Sequence, residues 1–198
     1  QRAGNREFPY IAITFDDGPH PINTPRLLDI LRERNIKATF YVVGEYVARH
    51  PAVVRRIVAE GHEIGNHSWS HPKLTNLSRD QVAAQLDRCT QAIVNAAGVK
   101  PRTMRPPYGA LHNSQRIWVH EKWGYPTVLW DVDPEDWRRP GPSVVASRIT
   151  NRTRNGSIVL AHDLHGQTVD AMPEALDNLL RKGFKFVTVS QLLAMKVY

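Results

Sequence analysis

Cysteine is almost absent from this 198-residue chain: Cys89 stands alone, so neither an internal disulfide nor a thiolate metal cluster is open to it. It falls in helical register with Val82, Leu86 and Ile93, which makes it a core residue. Long apolar runs are missing as well. The longest are short pieces such as Ile11 to Phe15 and Ile158 to Ala161, and a bilayer-spanning helix needs about 18 apolar residues in a row. Acidic residues are outnumbered, 19 against 26 Lys and Arg, for a net charge of +7. The basic residues are nevertheless scattered (Arg32, Arg55, Arg138, Arg181) rather than ranked along one helix. No module of interleaved aromatic and basic residues is present, so nucleic acid is not an expected partner.

What is there reads as one globular unit. A hydrophobic fraction of 41% with 23% charged residues is the composition of a folded protein and excludes disordered and fibrous classes. The length suits a single domain, expected over residues 1–198, and neither a repeat nor a linker interrupts it. The chain opens at Gln1, in keeping with a mature protein whose targeting segment has gone. Its positive field suits an anionic polymer such as a cell wall.

Short apolar runs alternate with capped amphipathic segments throughout, a β/α pattern. Seven strands are expected: Tyr10 to Phe15, Ala38 to Val43, Glu63 to Asn66, Thr103 to Arg105, Thr127 to Val132, Ser157 to Ala161 and Phe184 to Val189. Helices are expected from Thr24, with Pro25 in its first turn, from His50 to a stop at Gly61, and from Ser78 to a stop at Gly98. Ser78 and Gln81 form a capping box at the third. Later helices are placed at Asn113 to Lys122, Pro142 to Arg154 and Asp170 to Lys182.

The unusual polar residues fall where strands end. Asp16 and Asp17 follow the first strand, Asn66 and His67 the third, Arg105 closes the fourth, Asp133 and Asp136 follow the fifth, and His162 and Asp163 the sixth. In sheets and barrels of parallel strands those ends share one rim, where ligand chemistry takes place. His67 and His71 can aim two imidazoles at one ion if the segment between them coils, and Pro72 limits any helix beyond. With Asp17 they make two histidines and a carboxylate, a set that leaves coordination positions open on a zinc-like ion. Each piece also has a plainer reading. Asp16-Asp17-Gly18-Pro19 can be a turn whose side chains cap backbone amides, His162 a satisfied core histidine, and Arg105-Pro106-Pro107 a rigid turn. Trp69, Trp118, Trp123 and Trp130 read as packing.

Five segments taken in order carry more weight than any one. Thr14-Phe15-Asp16-Asp17-Gly18-Pro19, His67-Ser68-Trp69-Ser70-His71, Arg105-Pro106-Pro107-Tyr108-Gly109, Asp133-Pro134-Glu135-Asp136-Trp137 and Leu160-Ala161-His162 resemble the five motifs of the polysaccharide deacetylases, carbohydrate esterase family 4, also called the NodB homology domain. The resemblance runs from about Tyr10 to Gln191 with no departure at the key positions. It implies a distorted (β/α)7 barrel. It also implies one divalent metal ion, zinc with cobalt or nickel as substitutes, held by Asp17, His67 and His71. Asp16 would be the base, His162 the acid, Arg105 the tether of Asp16, and Asp136 the residue that orients His162. The Tyr108 amide would help hold the oxyanion, and Trp137 with Leu160 would wall the acetyl-methyl pocket.

The implied reaction is attack by metal-bound water on an N-acetyl group of an N-acetylglucosamine polymer, either chitin or its oligosaccharides or peptidoglycan, by a secreted or cell-envelope protein acting as a monomer. The alternatives are O-deacetylation of acetylxylan at the same site, a sugar-binding module that has lost its chemistry, and a non-haem iron oxygenase. The last two leave Asp16 without a task. The short connections between elements suggest an open groove.

Overall fold

The structure, a computed structural model, describes residues 1–195; Lys196 to Tyr198, the end of the expected domain, lie outside the described residues. The first strand, β1 (Tyr10–Asp16), is buried along nearly its whole length, as the central strand of a parallel sheet covered on both sides should be. On one side it pairs in parallel with β2 (Thr39–Val42), which pairs with β3 (Glu63–Asn66). On the other it pairs with β4 (Ile158–His162) in a register that sets Asp16 beside His162.

The circle is closed by two segments that make single bridges rather than ladders. Met104 bridges Asn66 on one side and Thr127 on the other, and Val132 bridges Val159 of β4. These were the expected fourth and fifth strands. Prolines explain their brevity: Pro101, Pro106, Pro107 and Pro126 flank them, and a proline has no N–H to give to a ladder. The seventh segment is also shorter than expected. Only Lys185–Phe186 forms β5, against Tyr10 and Ile11 at the base of β1, because Thr188 already caps the next helix, α8 (Val189–Ala194). Five strands and two bridged segments thus make a seven-membered, distorted barrel.

Helices wrap the outside: α1 (Asn23–Glu33), α2 (Gly44–Arg49), α3 (Pro51–Ala59), α4 (Arg79–Ala97), α5 (Asn113–Trp123), α6 (Pro142–Arg152) and α7 (Gly166–Arg181). In α4 the Ser78/Gln81 capping box forms and Gly98 closes the helix at φ 70°, a left-handed conformation that suits glycine. Cys89 is buried on its inner face with Val82, Leu86 and Ile93, as its register requires. Helix α7 begins at Gly166, four residues before the expected Asp170, and α2 and α8 are additional. The core is one large cluster built from β1, β2 and the inner faces of α1, α3, α6 and α7, with two smaller clusters beside it. No helix among the described residues is long and apolar enough to cross a membrane.

Candidate active site

The carboxyl ends of the strands open onto one cavity of about 480 Å³ that holds Asp16, Asp17, His67, His71, Tyr108 and His162 together. The loop after β3 shows how the sequence builds this rim. Asn66 is fully buried; its side-chain amide donates to the Leu86 carbonyl at 2.9 Å and to Thr90 at 3.1 Å, while its oxygen accepts the Ser68 amide at 2.9 Å. Gln85 Oε1 accepts the amides of Trp69 and Ser70, and Ser68 Oγ accepts that of His71. Helix α4 therefore dictates the coil that returns His71 to His67, their rings 4.9 Å apart. Four residues of the site, Asp17, Ser68, His71 and Tyr108, have φ between 62° and 79°. That region is costly for residues other than glycine and is found where surrounding contacts over-determine the backbone.

The two adjacent carboxylates have different surroundings, and among the described residues neither accepts a backbone amide as a turn cap would. Asp16 is 3% exposed and Oδ1 accepts a 2.7 Å bond from Nη1 of Arg105, which is wholly buried. Arg105 is itself fixed: it donates to Thr14 Oγ1 at 2.7 Å, to the Val128 carbonyl at 3.2 Å and to the Leu129 carbonyl at 2.8 Å. Its guanidinium lies 4.4 Å from the Tyr41 ring centroid and 5.5 Å from that of Trp130. The rigid-turn reading of Arg105 is thus replaced by an ion pair in the barrel interior. Trp130, read from sequence as packing, both lines the cavity and stacks on that arginine. Gly109 lies beneath it at φ 66°, a conformation that favours glycine, and a Cβ there would stand 3.0 Å from the indole.

Asp17 has other neighbours. Its Oδ1 lies 3.1 Å from Nε2 of His67 and 3.1 Å from Nε2 of His71, yet among the described residues it is buried without a partner in hydrogen-bonding geometry. Nδ1 of His67 meets the Arg105 carbonyl at 2.6 Å. A carbonyl only accepts, so Nδ1 carries the proton, and Nε2, 3.1 Å from Asp17, is the ring atom left to meet an ion; against the effect of burial, Asp16 and Asp17 raise the pKa of His67. Burial opposes ionisation of Asp17, but His67 and His71 outweigh it and hold its carboxyl well below the usual range. Three ligand atoms within 4.8 Å of one another, one of them an orphaned buried oxygen, could hold a divalent cation, with one carboxylate and two imidazoles as donors.

Across the cavity His162 forms a second unit. Its Nδ1 pairs with Asp136 Oδ1 at 2.9 Å, while Asp136 Oδ2 accepts the His162 amide at 2.8 Å and the Thr168 hydroxyl at 2.7 Å. Burial disfavours the charged imidazole, but the Asp136 carboxylate prevails and pushes its pKa up to about 9. His162 is therefore not a core histidine satisfied in its neutral form. Tyr108 sits at φ 63° with its ring edge-on to His71, and among the described residues nothing accepts from its amide. Trp137, half exposed, and Leu160, buried, complete the wall. His165, which sequence reasoning passed over, also lines the cavity; its place three residues after His162 was the available signal.

Fold and site together define a class: a parallel-stranded α/β barrel whose rim carries a carboxylate and two imidazoles around one point, a second carboxylate beside them, and a buried imidazole–carboxylate pair opposite. Comparison with known proteins gives that class its family. The polysaccharide deacetylase model matches residues 3–128, more than half of the chain. The chain is 41% identical over 187 residues to the peptidoglycan-N-acetylglucosamine deacetylase PgdA of Listeria monocytogenes, covering 94% of this chain and 39% of that protein. It is 38% identical to a chitooligosaccharide deacetylase of a Bradyrhizobium species, covering 92% and 90%. In structure it matches the Bc1960 peptidoglycan N-acetylglucosamine deacetylase with a TM-score of 0.94 at 34% identity, over 98% of this chain and 92% of that one. The chain belongs to the polysaccharide deacetylase family, and it spans about two fifths of the length of the Listeria relative.

Proposed function

We propose that this chain is a metal-dependent hydrolase that removes N-acetyl groups from N-acetylglucosamine residues of a cell-envelope polymer or of chitin-type oligosaccharides. The observation that carries this reading is the division of labour at the end of β1: Asp16 is held by Arg105, Asp17 faces His67 and His71, and both look across one cavity at His162. Relatives that act on peptidoglycan and on chitooligosaccharide support the substrate class.

Asp17, His67 and His71 would hold the ion, zinc by the nature of the donors, with cobalt or nickel able to substitute. When bound, such an ion polarises a carbonyl and lowers the pKa of a water molecule beside it. The remaining steps belong to the chain. The Arg105 bond occupies Oδ1 of Asp16 and fixes the carboxylate plane, so Oδ2 is the atom left to take the proton of the attacking water. The new C–O bond makes the amide carbon tetrahedral, and the Tyr108 N–H donates to the oxygen that gains charge. Single donors of this kind are worth about 3 to 4 kcal/mol. Trp137 and Leu160 enclose the methyl group. As the C–N bond breaks, the nitrogen takes the proton of His162, and acetate and a free amine leave.

The imidazole–carboxylate pair favours amide over ester substrates, because an amine cannot depart as an anion and His162 is held charged for that transfer. The test is incubation of the metal-loaded protein with acetylated chitin oligomers, peptidoglycan fragments and acetylxylan, followed by mass spectrometry and acetate release. Loss of acetyl from the first or second is expected. Loss confined to acetylxylan, or none at all, would refute the proposal.

A further inference from the structure

One polar group on the cavity wall has no task in this mechanism. His165 stands at the N-terminus of α7, joined to the acid through a backbone bond from its amide to the His162 carbonyl at 3.3 Å. Its ring centroid is 6.2 Å from that of His162, tilted by 57°. The side chain does not cap the helix, and among the described residues its imidazole takes part in no hydrogen bond, although it is partly buried against the cavity. Burial, with His162 and Arg139 as positive neighbours, lowers its pKa from the ordinary histidine value despite Asp136 and Asp17. At neutral pH it therefore offers the cavity one donor and one acceptor nitrogen.

The distance between the rings limits what such a group can reach. His162 must lie within hydrogen-bond range of the departing nitrogen, which sits on C2 of the sugar. Two imidazoles 6.2 Å apart, each reaching about 3 Å beyond a ring nitrogen, can hold two heteroatoms on adjacent carbons of one pyranose. Within a polymer, C1 carries the glycosidic oxygen, which has no proton. C3 carries a hydroxyl in N-acetylglucosamine and a lactyl ether in N-acetylmuramic acid.

We propose that His165 is a specificity-determining residue that accepts the hydrogen bond of the 3-hydroxyl beside the acetamido group, and so selects residues with a free 3-hydroxyl over 3-O-lactyl residues. An ether has no proton to give, so a 3-O-lactyl sugar leaves a partly buried acceptor unmet and brings extra bulk against it. The inference rests on the deacetylase reading and narrows it to the N-acetylglucosamine units of a mixed polymer.

The experiment measures kcat/KM for wild type, His165→Phe and His165→Gln on three substrates: an N-acetylglucosamine oligomer, an oligomer whose reacting residue carries the 3-O-lactyl group, and an aryl acetate without a sugar. Wild type should prefer the free hydroxyl. His165→Phe keeps a ring of similar shape but no nitrogen, and should lose about five- to tenfold on the first substrate, the worth of one hydrogen bond. It should change less than about twofold on the second and third, so that the preference collapses. His165→Gln, which restores an acceptor, should recover most of it. Equal loss on the aryl acetate, or a preference that survives in His165→Phe, overturns the proposal. A wild type that prefers the 3-O-lactyl sugar overturns it while leaving deacetylation intact, whereas one inert toward both sugars refutes the hydrolase reading itself.

Discussion

Replacing Asp136 by Asn tests the acid unit most sharply, because the structure gives both the sign and the size of the effect. The Asp136 carboxylate accepts from His162 Nδ1, the His162 amide and the Thr168 hydroxyl. An asparagine has one acceptor atom, so in either orientation its NH2 faces the His162 ring N–H or the His162 amide, donor against donor. The imidazolium loses its counter-charge in a buried place, and its pKa must fall from about 9 to the ordinary histidine value or lower. At pH 8 the wild-type acid is about 90% protonated and the variant about 3%, a deficit of about thirtyfold, while at pH 5.5 the two differ by less than about twofold. The alkaline limb of the amide pH–rate profile should therefore move to lower pH. A bound cation lowers both limbs alike, so the difference between the proteins is the quantity to read.

Stability should follow the same titration. A histidine with a raised native pKa stabilises the fold fully below its unfolded value near 6.5, and that stability is lost as pH rises through about 9. The amount is about 3 kcal/mol. Urea denaturation at pH 6 and pH 10 should show this loss in wild type relative to Asp136→Asn, whose curve lacks that component. An unmoved alkaline limb in Asp136→Asn would show that the limb does not report His162 and that the acid assignment is wrong.

Other outcomes are equally specific. Asp16→Asn should retain divalent metal by elemental analysis yet lose most turnover, whereas Asp17→Asn and His71→Ala should lose the metal itself; equal metal loss in all three would refute the division of roles between the two carboxylates. Chelation should abolish turnover without unfolding the barrel, read by circular dichroism. Arg105→Met leaves the Asp16 charge buried and unpaired and should cost about 3 to 5 kcal/mol, a melting-temperature drop of about 10 °C, much of it recovered in the double variant with Asp16→Asn. Gly65→Ala would set a Cβ 2.2 Å from the Tyr41 ring, the ring that packs on Arg105; a loss of about 1 to 3 kcal/mol is expected by thermal unfolding, and an unchanged melting temperature would contradict the packing described.

The alternation of apolar runs and capped helices determined the class of fold, because strand burial and helix caps are local in sequence: Tyr10 to Asp16, Glu63 to Asn66 and the Ser78 to Gly98 helix all form close to where their residues place them. The motifs likewise determined which residues meet, since residues at the carboxyl ends of parallel strands must share a rim. What the chain order could not express is contact between segments far apart. That Asp16 is tied to a guanidinium while Asp17 faces two imidazoles depends on Arg105 arriving from 89 positions later in the sequence. The place of Trp130 likewise depends on barrel closure, which turns it toward Arg105. The strands at Met104 and at Thr127 to Val132 shrank to single bridges, because prolines withhold ladder donors and only the closed ring shows how few it needs. Periodicity records which face of an element is buried; only the tertiary structure decides what lies against it.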